Sequence, residues 1–517
     1  MNVFLRADSS LSIGSGHIIR CLNLAKALKK AGAQCTFVSK NHRGNILEKI
    51  IQENFPLKVI TALDKPDVYV RDEKSWLDGN QSDDAEQFIS LVTEICPSPN
   101  IIVVDHYSLD REWEAIVKKR FSKAYLVVID DLCNRPHCGD LIIDQTYQRN
   151  AREYVRFNEN HGKVLAGTNF ALINPIFLQL RNQSISRKAD IKNPKKLMLT
   201  MGGVDAQNIA GKMLEFLEQL DFDNIEKITV ILGAACPHGE KIAMLANKSK
   251  YCVEVLFNVS NMAELMLEHD FAIGALGGTT WERCVMGLPA VNVAIADNQR
   301  TIAKNLAAAG AIIMNADKFN ASDLSKALKH LVTHYHVQRL LAMNICDGQG
   351  LFRDIQEMIL IPAKDGINVI LRQATCDDID FVYQLQCEPK TRQFARNPEI
   401  PEYDKHVKWM QRKLAASDSY FYIIEHAAAC GVIRLDPVEH VDARYEISIF
   451  LTSASYGKSI AKAAIKRTLM LHNDISILAT VLPENYASHQ LFERLGFLKI
   501  SPSEYISEKN NERIYNN

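Results

Sequence analysis

The sequence predicts two α/β lobes, each built on a parallel sheet, followed by a smaller α+β domain. Three observations carry this reading. From the start to about Phe177, short β-branched runs alternate with helical patterns, and a second series of the same kind begins at Leu197. After Gly366 the alternation stops and gives way to a strand, two helices and several antiparallel-looking strands. Strand and helix alternation implies a parallel sheet covered on both faces. A chain of 517 residues also has room for three or more compact units at about 100 to 200 residues each.

In chain order, the first lobe reads as the strand "VFLRA", a helix over residues 22–31, then "CTFVS", "IIVVD" at Ile101, "YLVVID" at Tyr125 and "LIID" at Leu141. The polar stretch "LRNQSISRKADIKNPKK" from Leu180 lacks apolar periodicity and reads as a hinge between lobes. The second lobe follows with "LMLTMGG", "ITVILG" at Ile228, "FAIGALGG" at Phe271 and "PAVNVAIA" at Pro289. A domain boundary falls near Pro362. The tail reads as "NVILRQAT", helices over 377–385 and 405–414, then "YFYIIE", "CGVIRLD" and "YEISIFLT". A helix from Gly457, "ISILATV", a helix from Glu484 and "FLKI" complete it. The expected domains are residues 1–182, 196–362 and 366–517.

Sixty Lys and Arg residues face 61 Asp and Glu, a formal net charge of -1, so no overall field draws the chain to nucleic acid or to an acidic membrane. An anionic ligand must then be held locally. The twelve cysteines follow no framework spacing, and neither a secretory leader nor a membrane-spanning apolar run is evident, so a reduced cytoplasmic protein is expected.

The stretch "LSIGSGHIIRCLNLAKAL" runs from a glycine-rich turn into a helical pattern, with His17 at the junction. Gly14 and Gly16 permit close approach, and the helix after them points unpaired amides toward the loop, which makes an anion seat. His17 is then either a helix-start residue bonded to a nearby carbonyl, an anion grip or a proton carrier. Gly202 and Gly203 in "TMGGVD", and Gly277 and Gly278 in "LGGTTWE", repeat the strand–glycine–helix arrangement. Two such turns suit a nucleotide diphosphate held without a metal. Glu282, in the first turn after the second loop, is either a carboxylate for two ribose hydroxyls or an acidic residue favoured by the helix dipole. Cys133, His137 and Cys138 in "CNRPHC", like Cys236 and His238, lack a second clustered pair, so no metal is expected.

Taken in order, "RADSSLSIGSGHIIRCLNLA", "VVDHY", "VIDDL", "DLIIDQ", "TMGGVD", "GALGGTTWERCVMGLPAVNVAIADNQ" and "DGQG" resemble the UDP-sugar hydrolase family of pseudaminic acid biosynthesis. The resemblance implies the two-lobed GT-B fold of two Rossmann-like domains, an active site in the cleft between lobes, and removal of UDP from UDP-2,4-diacetamido-2,4,6-trideoxy-β-L-altropyranose by water. The family's glycine-histidine motif falls on Gly14, Gly16 and His17. His17 is thereby expected to activate or orient the water, a step in which an imidazole contributes about 10²- to 10⁴-fold. Asp8 is expected to fix the tautomer of His17 or to bind a sugar group. The glycines of the second lobe, with the amides of Thr279 and Thr280, are expected to stabilise the UDP leaving group. Glu282 is expected to hold the ribose, Asn298 and Gln299 to meet the sugar or diphosphate, and Tyr107 to contact the sugar. A glycosyltransferase is the rival reading, since it needs a similar donor grip.

In the tail, "YEISIFLTSASYGKSIAKAAIKRTL" joins a strand to a helix through a polar turn, and "VLPENYASHQLFERLGF" pairs a strand end with a helix. Together they resemble an N-acetyltransferase of the GNAT superfamily, which implies acetyl-CoA as co-substrate. The pyrophosphate loop falls on Gly457, Lys458, Ser459, Ile460 and Ala461. Tyr456 and Ser459 stand where that family usually has Arg or Gln and Gly. Asn485 matches the residue that contacts pantetheine, Ser488 lies one turn on, and Phe492 replaces the tyrosine that often protonates the departing thiolate. Glu446 is either the base for an amine or an ordinary strand carboxylate. Together the two parts imply a bifunctional enzyme whose tail acetylates the 4-amino group of the UDP-sugar precursor. The contrasting reading is a noncatalytic tail that senses acetyl-CoA or mediates assembly.

Overall fold

The computed structural model describes residues 1–62, 72–220, 222, 225–234, 236–416, 419–439, 441 and 444–507. The chain divides into two compact units, the first holding nearly all of residues 1–358 and the second residues 359 onward.

The first unit contains two sheets. In the first lobe the strands are β1 (Asn2–Ala7), β2 (Gln34–Lys40), β3 (Leu57–Ile60), β4 (Ile101–Asp105), β5 (Tyr125–Ile129), β6 (Leu141–Asp144) and β7 (Lys163–Ala166). All pair in parallel, in the order β3-β2-β1-β4-β5-β6-β7. The second lobe has β8 (Lys196–Thr200), β9 (Lys227–Leu232), β10 (Cys252–Phe257), β11 (Phe271–Ala275), β12 (Ala290–Ala294) and β13 (Ile312–Asn315). These are also parallel, in the order β10-β9-β8-β11-β12-β13. Central strands such as β4, "IIVVD", are buried at every residue because helices cover both faces. One face of the first sheet packs Phe4, Val38, Ile102 and Val104 against Phe88 and Trp113. In the second lobe Leu199, Ile228, Val230 and Ile273 pack against Met213, Leu217 and Leu328.

In each lobe the connections reverse direction once, between β1 and β4 and between β8 and β11. In open parallel sheets the crevice at the carboxyl ends of such neighbouring strands is where ligands bind. The loops after these four strands carry His17, Tyr107, Gly202 and Gly277, respectively.

The stretch expected to be a hinge is instead largely helix, Pro175–Ala189. Asn174 accepts the Ile176 N–H and Pro175 sits in the first turn, which is a strong start signal. Its polar residues serve the second lobe, so the helix carries polar side chains where a core stripe was sought. Arg181 donates to the carbonyls of Val285, Met343 and Cys346, Ser184 to Met286, and the buried Lys188 to Met266. The helix Gly350–Met358 returns to the first lobe, where Arg353 donates to the Asn169 carbonyl.

The second unit is a mixed sheet of β14 (Ile370–Gln373), β15 (Tyr420–His426), β16 (Ala428–Pro437), β17 (Arg444–Leu451), β18 (Ser476–Thr480), β19 (Leu498–Ser501) and β20 (Glu504–Ser507). Its order is β14-β15-β16-β17-β18-β20-β19. Neighbours are antiparallel except β17 and β18, which run parallel and pair through Arg444, Tyr445 and Glu446 alone. Past Glu446 the two strands part, so β17 runs on to Leu451 with an open edge on that side. Helix Tyr403–Ala415 buries His406 and Met410 over Phe421 and Ile423. Among the described residues, no helix is long and apolar enough to cross a membrane.

Candidate active sites

A cavity of about 440 Å³ lies at the carboxyl ends of the two parallel sheets, lined from one lobe by Gly14, Gly16, His17 and Tyr107 and from the other by Gly202, Gly203, Gly277, Gly278, Thr279 and Glu282. Gly14 has φ +78°, a left-handed angle that closes the turn onto Ser10 and starts the helix Gly16–Lys30 two residues later. A Cβ added at Gly14, Gly16, Gly202, Gly277 or Gly278 would meet no protein atom within 4 Å, so these glycines border open space. Gly203 differs: its Cβ would stand 2.6 Å from the Ser15 hydroxyl of the opposite lobe. A side chain there would require the Ser15 hydroxyl to turn away.

His17 is buried, and its Nδ1 lies 2.6 Å from Asp105 Oδ1 at the end of β4. One turn along the helix, Arg20 donates to both Asp105 oxygens at 2.6 Å and pairs with Asp131. Against the upward push of burial, Arg20 and then His17 hold the Asp105 carboxyl below the usual carboxylate range. An ionised carboxylate only accepts, so the neutral imidazole places its hydrogen on Nδ1 and its lone pair on Nε2. That is the tautomer of a general base.

Asp8 does not reach His17, contrary to expectation. It is fully buried, accepts from Arg6 at 2.5 and 2.9 Å and from the Lys40 amide at 2.7 Å. Burial opposes its ionisation, but the Arg6 guanidinium keeps its carboxyl well below the ordinary range. A carboxylate so fully bonded is a structural anchor under the loop. Tyr107 lines the cavity, and its hydroxyl donates to Asp131 at 2.8 Å.

In the second lobe the two glycine turns are not equivalent. After β8, Asp205 caps the helix Ile209–Gln219 by accepting the amides of Ile209 and Ala210 at 2.7 and 2.9 Å. That helix end is closed to a second anion. After β11, the helix Gly278–Val285 starts at the glycines, and the amides of Gly278 and Thr279 have no backbone acceptor among the described residues. The Thr280 amide does not join them as expected: it donates to the Gly277 carbonyl at 3.0 Å, while the Thr280 hydroxyl accepts from the Gly277 amide. The buried Arg283 underlies this loop, donating to Ala275 O, the Thr279 and Thr280 hydroxyls and Asn292. Gly274 makes room for it, since a Cβ there would lie 2.4 Å from the guanidinium. A guanidinium in that place adds positive potential beneath an anion seat. Burial pushes the Glu282 carboxyl up to about 7, with Arg283 pulling the other way.

Gln299 lines the cavity and also acts as a staple: Oε1 accepts the Ile295 amide at 2.8 Å and Nε2 donates to Leu276 O at 2.5 Å. Both ends of its amide thus tie two loops together. Its neighbour Asn298 lines the cavity with a buried Oδ1 that finds no partner among the described residues. His137 is held by Glu114 at 2.6 Å, and among the described residues no three or more His, Cys, Asp or Glu side chains group as a metal site.

In the second unit, Gly457 (φ +75°) and Ser459 (φ +64°) curl the loop before the helix Ile460–Leu471. The amides from Gly457 through Ala461 make no backbone hydrogen bond among the described residues. Such a row of open amides at a helix start fits a pyrophosphate. The loop's Lys458 carbonyl is anchored by the Lys364 amide at 3.0 Å. Glu446 sits where β17 and β18 part, accepting from the Thr480 hydroxyl at 2.7 Å and paired with Arg396. Asn485 precedes its helix instead of riding on it, its Oδ1 accepting the Ser488 amide at 3.2 Å. The amide nitrogen of Asn485 is the end left to face a ligand. Phe492 is buried against Phe497 and Tyr505.

Residues 368–498 match the acetyltransferase (GNAT) domain family. A UDP-2,4-diacetamido-2,4,6-trideoxy-beta-L-altropyranose hydrolase of Campylobacter jejuni is 23% identical over 310 residues, covering 60% of this chain and 97% of the relative. The chain joins a UDP-sugar-hydrolase-like part to a GNAT domain. An uncharacterised protein of Methanocaldococcus jannaschii is 21% identical over 528 residues, covering 100% of this chain and 99% of its own, so the fusion recurs there end to end. MurG of Acinetobacter baumannii is 14% identical, with a TM-score of 0.49, covering 69% of this chain and 99% of MurG. The hydrolase-like part has two parallel, Rossmann-like sheets, and the GNAT domain has a mixed sheet with one parting strand pair. Sequence reasoning missed Asp105, Arg20 and Trp76 in the hydrolase-like part, together with Arg283. Of these, Asp105 stood inside a quoted motif, "VVDHY", and knowing that β1 and β4 are neighbours would have pointed to it.

Proposed function

We propose that the hydrolase-like part converts UDP-2,4-diacetamido-2,4,6-trideoxy-β-L-altropyranose to UDP and the free sugar. We further propose that the GNAT domain transfers an acetyl group from acetyl-CoA to the 4-amino group of the UDP-sugar precursor. The similarity to the Campylobacter UDP-2,4-diacetamido-2,4,6-trideoxy-beta-L-altropyranose hydrolase supports the choice of sugar. The observation that carries the first half is the 2.6 Å contact between His17 and an ionised Asp105 at the cleft, across from a glycine turn with open amides.

In this reading a water oxygen bonds to the anomeric carbon while its proton passes to His17 Nε2. The bond from that carbon to the UDP oxygen breaks, and the electron pair leaves on the β-phosphate. The amides of Gly278 and Thr279 donate to the growing charge, and Glu282 accepts the ribose hydroxyls. Asp105 stabilises the imidazolium until it returns its proton to solvent. In the GNAT domain the acceptor amine attacks the thioester carbonyl and gives its proton to Glu446, directly or through water. Phe492 has no proton to offer, so water supplies the departing thiolate.

Incubation with the UDP-sugar and no acceptor tests the first half: rapid UDP release is expected, whereas turnover that waits for an added sugar acceptor identifies glycosyl transfer. His17→Ala is expected to bind UDP and to release none. For the second half, CoA release that depends on the 4-amino sugar is expected, with the acetylated product read by mass spectrometry; acetyl-CoA binding without release would leave the GNAT domain as a sensor.

A further inference from the structure

Beside His17 the first lobe presents aromatic rings to the cavity. Tyr107 stands edge-on to the imidazole, 4.5 Å between centroids, and Trp76 stacks on Tyr107 at 5.9 Å with planes 26° apart. Trp76 also meets His17 edge-on at 6.4 Å. The Ser108 hydroxyl donates to the Glu73 carbonyl, which ties the turn carrying Trp76 to the loop carrying Tyr107. Leu11 and Ile13 extend the apolar side of the cavity.

Several of the polar side chains that line the same lobe spend hydrogen-bonding groups on the protein itself. Tyr107 donates to Asp131 at 2.8 Å, and Asn23 to Leu172 O at 3.0 Å. Gln145 accepts the Leu172 amide at 3.3 Å, and Thr146 donates to Asp131 O at 3.2 Å. A sugar hydroxyl pressed against the ring faces of Trp76 and Tyr107 gives up water without regaining a partner. A deoxy carbon or an acetamido methyl gives up little and gains contact with ring faces.

Resting on the hydrolase reading above, we infer that Trp76 is a specificity-determining residue: with Tyr107 it selects UDP-sugars bearing deoxy and acylamido substituents over fully hydroxylated ones. The nucleotide seat is built by the other lobe, so changes at Trp76 act on the sugar and leave UDP affinity alone.

The test compares UDP-2,4-diacetamido-2,4,6-trideoxy-β-L-altropyranose with UDP-glucose, whose sugar is fully hydroxylated, in the full chain. It covers wild type, Trp76→Ala, Trp76→Gln and Trp76→Phe, with kcat/KM from UDP release, Kd for UDP and both UDP-sugars by calorimetry, and thermal unfolding as the folding control. Wild type is expected to favour the trideoxy sugar by about 100-fold, and Trp76→Ala and Trp76→Gln to lose about 10- to 100-fold with it at unchanged UDP Kd, while Trp76→Phe keeps most of the preference. Equal handling of the two sugars by wild type, or a preference that survives both Ala and Gln, overturns the inference. If wild type releases UDP from neither sugar, the hydrolase reading fails and the two sugar Kd values decide: a tighter trideoxy sugar weakened by Trp76→Ala upholds the selective wall, and equal values overturn it.

Discussion

Replacing Asp105 by Asn keeps the size of the side chain and removes the charge that faces His17. The 2.6 Å contact sets the charge centres of carboxylate and imidazolium a little farther apart than the bonded atoms. At about 4 Å and an effective dielectric of about 20, their attraction is about 4 kcal/mol, equivalent to roughly 10³-fold in rate. Arg20 shares the same carboxylate, so part of that attraction is already offset in the resting protein. A fall in kcat of about 10²- to 10³-fold is therefore expected, within the range of general-base losses. UDP release measured under saturating UDP-sugar reads the fall, while calorimetric UDP affinity should stay within about twofold because the proposed diphosphate and ribose contacts lie in the other lobe. Arg20 keeps Asp131 as a partner, and thermal unfolding checks that the variant is folded. A kcat within about threefold of wild type in a folded variant, or UDP affinity that falls together with kcat, refutes the assignment of Asp105 and His17 as an acid-base pair.

Glu282 predicts a pH dependence of nucleotide binding: in the free protein burial holds its carboxyl near 7, whereas ribose hydroxyls favour the ionised form, so binding expels a proton. Affinity for a UDP-sugar should rise with pH through 7 and weaken up to about tenfold per unit below it, and Glu282→Gln should flatten that profile in calorimetry. Arg6→Met strands Asp8 and Asp84 without their shared cation, and should cost about 3 to 5 kcal/mol in urea unfolding. Gly457→Val forces a branched residue into φ +75°, and should raise KM for acetyl-CoA about tenfold while UDP release is unchanged.

In the two parallel sheets, the strands that pattern reading recovers and those it misses differ in burial. β4 is buried throughout, so "IIVVD" announces itself. β3, β7, β10 and β13, all missed, are the outermost strands of the two parallel sheets, and they carry exposed residues, as in the sequences "LKVI" and "CVEVLF". An edge strand covered on fewer sides needs fewer apolar residues, and its short run then resembles a loop. β20, "EYIS", holds only two apolar residues between Glu504 and Ser507 and was missed. The helix Pro175–Ala189 was hidden for a related reason: its side chains seek carbonyls in the second lobe, so hydrophobic periodicity, the signal being sought, was never required of it.

The same logic separates the visible from the hidden parts of the candidate sites. His17, Gly277, Glu282 and Gly457 belong to single loops whose glycine, polar and helix-start residues are adjacent in sequence, so the motif and the geometry coincide. Asp105 is 88 residues from His17 and meets it only because β4 lies beside β1. Asp8, adjacent to the loop, was the natural guess for its partner, yet Arg6 on the same strand claims it first at two bonds. Thr280 illustrates the finer limit: its amide lies within the open helix start but turns back onto Gly277, while Gly278 and Thr279 stay open. Local pattern thus locates a reactive group, but the choice of which neighbour orients it is made by strand order and by competition among buried charges. A histidine whose orienting carboxylate comes from a different strand is also one that loses that partner when the sheet is disturbed. Damage to the β1–β4 pairing should therefore abolish turnover before it abolishes the UDP binding proposed for the second lobe.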